Sequence, residues 1–561
     1  MSTNGARYYT IVLLVLISLT FVLIGLDKVN EASDPGYEDT TGFLAMALYL
    51  KDSGGITNFL HLCFSGEYKS VIKHPLYPLL LSTFASREPI FFERAKLLSL
   101  FIGWMVVIAL FYVTKDLYGG PVAYIASVLL IVNTTFLRMS SHVACETLLI
   151  FFIFLSVYWM VKGLDNTKYW IWAGISGGLA YMTKGTGLLL IPIFATVAFL
   201  SLGAKPIRTK HFWIFFVLFF ITCSPLIVRN IVVYKHPLYE SILSNQIWMD
   251  DWRDMNDPKY ASVVNYPEMT WEGTALPTMQ SYFQTHTFSE IIQRIETGIR
   301  GESVQFFGSM DTLFPLEALH FLTFLFFCVG LILETGKKRV LCVLIMMGVF
   351  FIPFAWFYVH PQMIRYISPL IPFFCMYSAV GFAGALGYLD KEVLAKWEMV
   401  ATLKWLPACM MVLLVFIAGY VTMTQQVHLP NPPAALHEDL DELYGWLKRN
   451  VKHNDLVLGD LGDYLWLAEF QGKFGRLDRL ETSEVGNMSL LNEFLRNRPE
   501  RNETYVIINK NNVLSPGFLG NYFGYTDVDG IIETKHIEGW SRAYTHSKRP
   551  ADFLIYRIER A

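Results

Sequence analysis

The chain has 561 residues, of which 53% are hydrophobic, 15% aromatic and only 17% charged, with a mean hydropathy of +0.38. That composition is a membrane protein's and excludes an ordinary water-soluble domain. A net charge of −3 spread over this length gives no basic footprint for nucleic acid. The seven cysteines (Cys63, Cys145, Cys223, Cys328, Cys342, Cys375 and Cys409) lie mostly in apolar stretches without a CxxC or Cys/His cluster, so neither a disulfide framework nor a zinc site is expected.

The first apolar run, Ile11 to Leu26, follows Arg7 as a signal peptide would, but no small-residue cleavage site comes after it and many further runs follow, so it reads as an uncleaved anchor. Counting stretches able to cross about 30 Å of hydrocarbon gives roughly eleven spans. They begin near residues 10, 95, 120, 143, 169, 186, 213, 316, 340, 364 and 405, the fifth being short. Basic residues gather at the N-terminus and in alternate connections, at Arg7, Lys115, Lys162, Lys168, Lys205, Arg208, Lys210, Lys337, Lys338, Arg339, Lys391, Lys396 and Lys404, and the positive-inside rule makes that face cytoplasmic. The N-terminus is then cytoplasmic. The opposite face holds three long segments, about 27–94, about 230–312 and everything after about 427.

The short tips on that outer face carry almost no basic residues except Arg138, Lys184 and Arg365. One such residue is ordinary interfacial snorkelling; three on one side favour an anion site. Carboxylates collect there too: Asp34, Glu38 and Asp39 in SDPGYEDTTGF, and Glu146 in RMSSHVACETLL. Arg138, His142 and Glu146 are spaced i, i+4, i+8 and would share a face if their helix begins early; a plain salt-bridged helix end weighs equally. After the first KHPLY, at Lys73 to Tyr77, the run PLLLSTFA is too short to span and reads as a short interfacial helix. The second KHPLY, Lys235 to Tyr239, has no further sequence in common with the first, so coincidence is favoured over a repeat or a second anion site using Lys235 and His236.

In WMDDWRDMND, Asp250, Asp251 and Asp254 make D-D-x-x-D, a spacing that can hold magnesium against a diphosphate. Without a second acidic cluster of the same kind, a solvated acidic turn is the favoured reading, and a divalent ion stays only as an option. After the last span the chain turns polar. Leu436, Leu440, Leu443, Leu447 and Val451 fall on one helical face, and DLVLGDLG, TYVIINK and DFLIYRI read as strands, giving an expected extracytoplasmic α/β domain over 427–561 that binds acceptor or stabilises the chain. The sequons at Asn133, Asn487 and Asn502 decide nothing.

Five segments, in order over roughly residues 10–385, carry a family resemblance: DTTGFLAMALYL, KHPLYPLLLS, GISGGLAYMTKGTGLLLIP, SPLIVRN and RYISPLIP. The chain resembles the polytopic GT-C glycosyltransferases, in particular protein O-mannosyltransferases and lipid A aminoarabinose transferases. The resemblance implies a GT-C-like polytopic α-helical fold over 1–426. It also implies a polyprenyl-phosphate-linked sugar donor, a protein, lipid or polysaccharide acceptor, inversion at the anomeric carbon, and residence in the plasma (inner) membrane. It points to Asp39 over Asp34 or Glu38, although Asp39 is followed by Thr40 where such families often carry two adjacent acids. In such chemistry fixed cations stabilise charge on the leaving phosphate, with Lys73, Lys184 and Arg365 as candidates, and a carboxylate, Asp39, takes the proton of an incoming hydroxyl. His74, Tyr77, Arg138, His142, Glu146 and Tyr366 would support them. The alternative is a transporter of an anionic or lipid-linked substrate, which would instead show paired halves with broken helices.

Overall fold

The computed structural model describes residues 3–32, 39–68, 74–86, 90–239, 246–250, 277–303, 317–356 and 364–388, together with short pieces and strands between 424 and 558. Helix α1 (Thr3–Glu31) is followed by α2 (Thr40–Asp52), α3 (Gly55–Ser65) and the seven-residue α4 (Leu76–Ser82). Then come α5 (Ile90–Tyr118), α6 (Gly120–Ile131), α7 (Thr134–Ser141), α8 (Glu146–Gly163), α9 (Trp170–Thr183), α10 (Leu190–Leu202), α11 (Lys210–Thr222) and α12 (Ser224–Tyr234). Beyond them lie α13 (Met279–Thr285), α14 (Phe288–Ser303), α15 (Glu317–Leu333), α16 (Lys338–Trp356), α17 (Ile364–Ile367) and α18 (Ile371–Tyr388).

Among the described residues, six helices are long and apolar enough to cross a membrane, and up to eight if two bent pairs each count as one span. The bends are where the structure departs from an even run of spans. Between α6 and α7 the chain turns by 65°, because the Asn133 side chain accepts a hydrogen bond from Phe136 N (2.8 Å) and so starts a new helix. Asn133 is fully buried in that role, which leaves no room for a glycan. Between α11 and α12 the turn is 61°; Pro225, in the first turn of α12, has no N–H with which to continue the ladder of α11. The expected fifth span is the 14-residue α9. The expected span near 405 lies outside the described residues.

One large apolar core joins α1 and α5 to α12 with α15, α16 and α18. Its closest contact is between α15 and α18, where a Cβ on Gly381 would come within 1.9 Å of Phe326 O and one on Gly330 within 2.0 Å of Tyr377 O. Only glycine lets the two backbones approach so far. A second, smaller core packs Phe43, Leu44 and Leu48 of α2 with Tyr77 and Leu81 of α4 onto Phe91, Phe92 and Ile102 of α5 and onto Val143 and Leu148 around the start of α8. The expected interfacial helix after KHPLY is therefore α4, held down by Tyr77 and Leu81.

Lys96 of α5 closes the end of the first span. It is 1% exposed, donates to Val29 O (2.9 Å) and Ala32 O (2.7 Å), and pairs with Glu93 at 2.9 Å. The carbonyls at a helix C-terminus need donors, and a lysine from a neighbouring helix supplies them.

Toward the C-terminus the strands β1 (Leu456–Gly459), β2 (Lys473–Arg476), β3 (Thr504–Asn509), β4 (Thr526–Val528), β5 (Ile531–Glu533), β6 (Trp540–Thr545) and β7 (Phe553–Ile558) are described. Five form a sheet in the order β2-β1-β3-β7-β6. β2, β1 and β3 run parallel, whereas β7 is antiparallel to both β3 and β6. The three segments read as strands in the sequence are β1, β3 and β7, which are neighbours in this sheet. Of the expected apolar helix face, Leu447 and Val451 are buried, while Leu436, Leu440 and Leu443 lie outside the described residues.

Candidate active site

Four charged side chains from four parts of the chain meet at one end of the bundle. Asp39 stands at the N-cap of α2, Glu146 in the first turn of α8, Lys184 where α9 ends, and Arg365 on α17. Lys184 Nζ donates to Glu146 Oε1 at 2.7 Å. Arg365 donates through a terminal nitrogen to Asp39 Oδ2, and its Nε lies 3.5 Å from Glu146 Oε1. Two carboxylates and two cations thus alternate in one chain of contacts, Asp39–Arg365–Glu146–Lys184. Exposure grades along it: the side chain of Glu146 is 4% exposed and that of Arg365 11%, whereas that of Asp39 is 35% exposed. The carboxylate that can meet an incoming group is Asp39.

Tyr366 floors the cations, with its ring centroid 4.6 Å from Lys184 Nζ and 5.4 Å from the Arg365 guanidinium. It stacks in turn on Phe354 at 5.4 Å. Such ring faces favour a cation that has lost water.

Local sequence explains each placement. Lys184 breaks out of α9 in extended backbone (φ −161°, ψ 147°) before a 3₁₀ turn over Gly185–Leu189. That turn folds flat on α9, because a Cβ on Gly187 would lie 2.3 Å from Tyr181 N. Thr40, the first residue of α2, has its hydroxyl 2.7 Å from His142 Nε2, which fastens the start of the helix, and so Asp39, to the α7–α8 junction. His74 Nδ1 donates to Tyr181 O at 2.5 Å. Burial, reinforced by the Arg229 and Lys184 charges, pushes the His74 ring down to about 4 against the opposing pull of the carbonyl bond, so it is neutral near pH 7. Tyr77 bonds Ser99 through its hydroxyl at 2.6 Å and packs edge-on against Phe43.

The sequence-derived set divides accordingly. Asp39, Lys184, Arg365, Glu146 and Tyr366 come together, with His142, His74 and Tyr77 bracing them. Lys73, Asp34 and Glu38 lie outside the described residues. Arg138, His142 and Glu146 do not share a helix face: the chain is extended at His142 (φ −121°, ψ 163°), ending α7 with Arg138 on it, and Glu146 begins a separate helix. Asp250 of D-D-x-x-D lies 3.2 Å from His286 Nε2 and 3.5 Å from Arg294, while Asp251 and Asp254 lie outside the described residues. Among the described residues no group of three His, Cys, Asp or Glu side chains could hold a metal. The two KHPLY copies differ. His74 and Tyr77 are buried, whereas Lys235 takes a left-handed backbone (φ 59°) as the cap that ends α12, and it and His236 are exposed.

Sequence reasoning missed the central place of Glu146 between two cations, the Thr40–His142 clasp and the Lys96 closure. A carboxylate opening an otherwise apolar span was the available signal for the first.

Comparison with known proteins agrees with this architecture. A family model described as dolichyl-phosphate-mannose-protein mannosyltransferase matches residues 91–228, from the start of α5 into α12. Among solved structures, ArnT from Cupriavidus metallidurans in the apo state is similar with a TM-score of 0.55 and 11% identity over 98% of both chains. The same protein bound to undecaprenyl phosphate gives 0.53 and 11% over 99% of this chain and 98% of that one. AglB, an oligosaccharyltransferase from Archaeoglobus fulgidus in complex with an inhibitory peptide and a dolichol-phosphate, gives 0.56 and 12% over 90% of this chain and 70% of that one. No curated protein matches in sequence. The chain shares the fold of these proteins, the GT-C fold, and is a multi-pass membrane protein.

Proposed function

We propose that the chain is an integral membrane glycosyltransferase that moves a sugar from a polyprenyl-phosphate donor to an acceptor, a protein, lipid or polysaccharide, on the outer face of the membrane. The observation that carries this is the convergence of Asp39, Glu146, Lys184 and Arg365, with Asp39 the most exposed of the four. Similarity in fold to proteins whose structures contain undecaprenyl phosphate and dolichol-phosphate supports a polyprenyl-phosphate donor.

In this reading the acceptor hydroxyl attacks the anomeric carbon while the bond from that carbon to the phosphate oxygen breaks. Asp39 takes the hydroxyl proton, the polyprenyl phosphate leaves with the bonding electron pair, and a single displacement inverts the anomeric configuration. Arg365 and Lys184 meet the charge that grows on the phosphate. Lysine has three donor hydrogens and arginine five, so each can keep a carboxylate partner and still reach a phosphate oxygen. Lys73 would add a third cation. Glu146 keeps two cations close together before the donor arrives, so the site is organised in advance. If the acceptor is itself a phosphate, Asp39 orients it.

The rest of the assignment follows the charge pattern: N-terminus cytoplasmic, 1–426 as the transmembrane catalytic unit of about eleven spans, and 427–561 as an extracytoplasmic α/β domain, in a plasma (inner) membrane. Reconstitution in lipid nanodiscs with a panel of polyprenyl-phosphate sugars, reading free polyprenyl phosphate by mass spectrometry, tests the reaction. Release by the wild type and its loss in Asp39→Asn is expected. A folded wild type that neither binds nor turns over any donor would overturn the reading in favour of transport.

A further inference from the structure

The order of the C-terminal strands brings the chain to a turning point at one edge of their sheet. β1 is paired on one side with β2 and on the other with β3, and all three run parallel. From β1 the sequence goes to β2 on one side, returns past β1 to β3, and continues on that far side with β7 and β6. The carboxyl ends of β1 and β3 therefore lead in opposite directions across the sheet. In an open α/β sheet this divergence leaves a crevice outside the strand ends, and that crevice is where ligands bind.

The register fixes which residues stand at that edge. Gly459, the last residue of β1, is paired with Arg476, the last of β2, and with Ile507 of β3, while β3 runs two residues further to Asn509. Aligned residues of parallel strands lie on one face of a sheet, and so do residues two apart along a strand. Arg476, Gly459 and Asn509 thus share a face at the carboxyl edge. Tyr505, four residues before Asn509, is on that face too; it is 5% exposed, and its ring lies edge-on to Trp446 at 5.6 Å between centroids.

We infer that the carboxyl edge of β1 and β3 is a binding site for an oxyanion, a phosphate or carboxylate group, with Arg476 and Asn509 as its donors on either side of Gly459. Guanidinium and carboxamide both offer N–H groups, and the guanidinium keeps its charge at any working pH. Glycine puts no side chain between them, and two strand spacings set the strands of Arg476 and Asn509 about 10 Å apart. A fixed cation and an amide flanking bare backbone suit a ligand whose oxygens accept several hydrogen bonds at once, and arginine can give two of them in parallel. The inference is independent of the transferase reading.

The test is hydrogen exchange read by mass spectrometry on the full chain in phosphatidylcholine nanodiscs, with inorganic phosphate, glucuronate or glucose added at equal ionic strength. Phosphate, glucuronate or both should slow exchange several-fold in the peptides carrying 456–459 and 504–509, and glucose should not. Arg476→Gln and Asn509→Asp should each abolish that protection, while exchange across β7 stays as in the parent and shows the sheet intact. Equal protection by glucose would mean recognition of hydroxyls, as a carboxylate such as Asp460, the residue after β1 in the sequence, would supply. No protection by any probe, or protection that survives both substitutions in an intact sheet, would mean that this edge holds no oxyanion site. Each of these three results overturns the inference.

Discussion

Arg365 touches a carboxylate on each side, Asp39 through a terminal nitrogen and Glu146 across 3.5 Å from Nε. A lysine at 365 would be a point charge unable to serve both, so Arg365→Lys is expected to slow polyprenyl-phosphate release by about ten- to a hundredfold, the worth of one charge-assisted bond, and Arg365→Ala to abolish it. Retention of wild-type turnover in Arg365→Lys would show that bridging is irrelevant. Lys235, in the other KHPLY, makes the opposite case. Its left-handed backbone costs a side-chain-bearing residue about 1–2 kcal/mol that glycine avoids. Lys235→Gly should therefore raise the thermal midpoint and leave turnover unchanged; reduced turnover in the folded variant would give Lys235 a role in the chemistry.

Among the elements, the flat turn after α9 governs where Lys184 stands. Gly187→Ala would press a methyl to 2.3 Å from the Tyr181 backbone nitrogen, a gap that only backbone movement can open. Since Gly187 N donates to Lys184 O at 2.9 Å, the movement carries Lys184 with it. Donor binding should weaken several-fold and partly recover at high donor concentration, whereas a loss of turnover with unchanged apparent affinity would count against this account. Much of this site could be read from the sequence, because the charge pattern singles out Lys184 and Arg365 as bases on the face expected to lack them, and Asp39 opens a recognisable segment. The bends could not. From Gly120 to Ser141 the hydropathy stays high enough to read as one span, and a single asparagine, Asn133, decides that it is two helices. The same break separates Arg138 from Glu146, which their spacing alone would have joined. The partners of Glu146 were hidden for another reason: they depend on how α8, α9 and α17 pack, which no local pattern encodes.

For the molecule as a whole, His74 links stability to acidity. Folding buries it neutral and lowers it to about 4, while an unfolded chain binds its proton near pH 6.5. The unfolded state therefore takes up more protons between these values, so the contribution is complete above about pH 6.5 and is lost as the pH falls toward 4. Thermal midpoints measured in detergent across this window should drop more steeply for the wild type than for a folded His74→Asn variant, which cannot titrate; parallel curves would remove His74 as the cause. Protonation leaves the Nδ1–H bond to the Tyr181 carbonyl in place, so acid acts on this side of the site through the cost of a buried charge beside Lys184 and Arg229.

The closure made by Lys96 bears on how far the proposed base can travel. Lys96 holds the end of the first helix at Ala32, and Thr40, the residue after Asp39, is clasped to His142, so Asp39 stands one residue from a fixed point at the head of α2. With that clasp at the very next residue, Asp39 has little freedom to swing outward. If the proposed reaction holds, an acceptor has to bring its hydroxyl to that fixed point, and the size of what can be delivered there would gauge what is glycosylated.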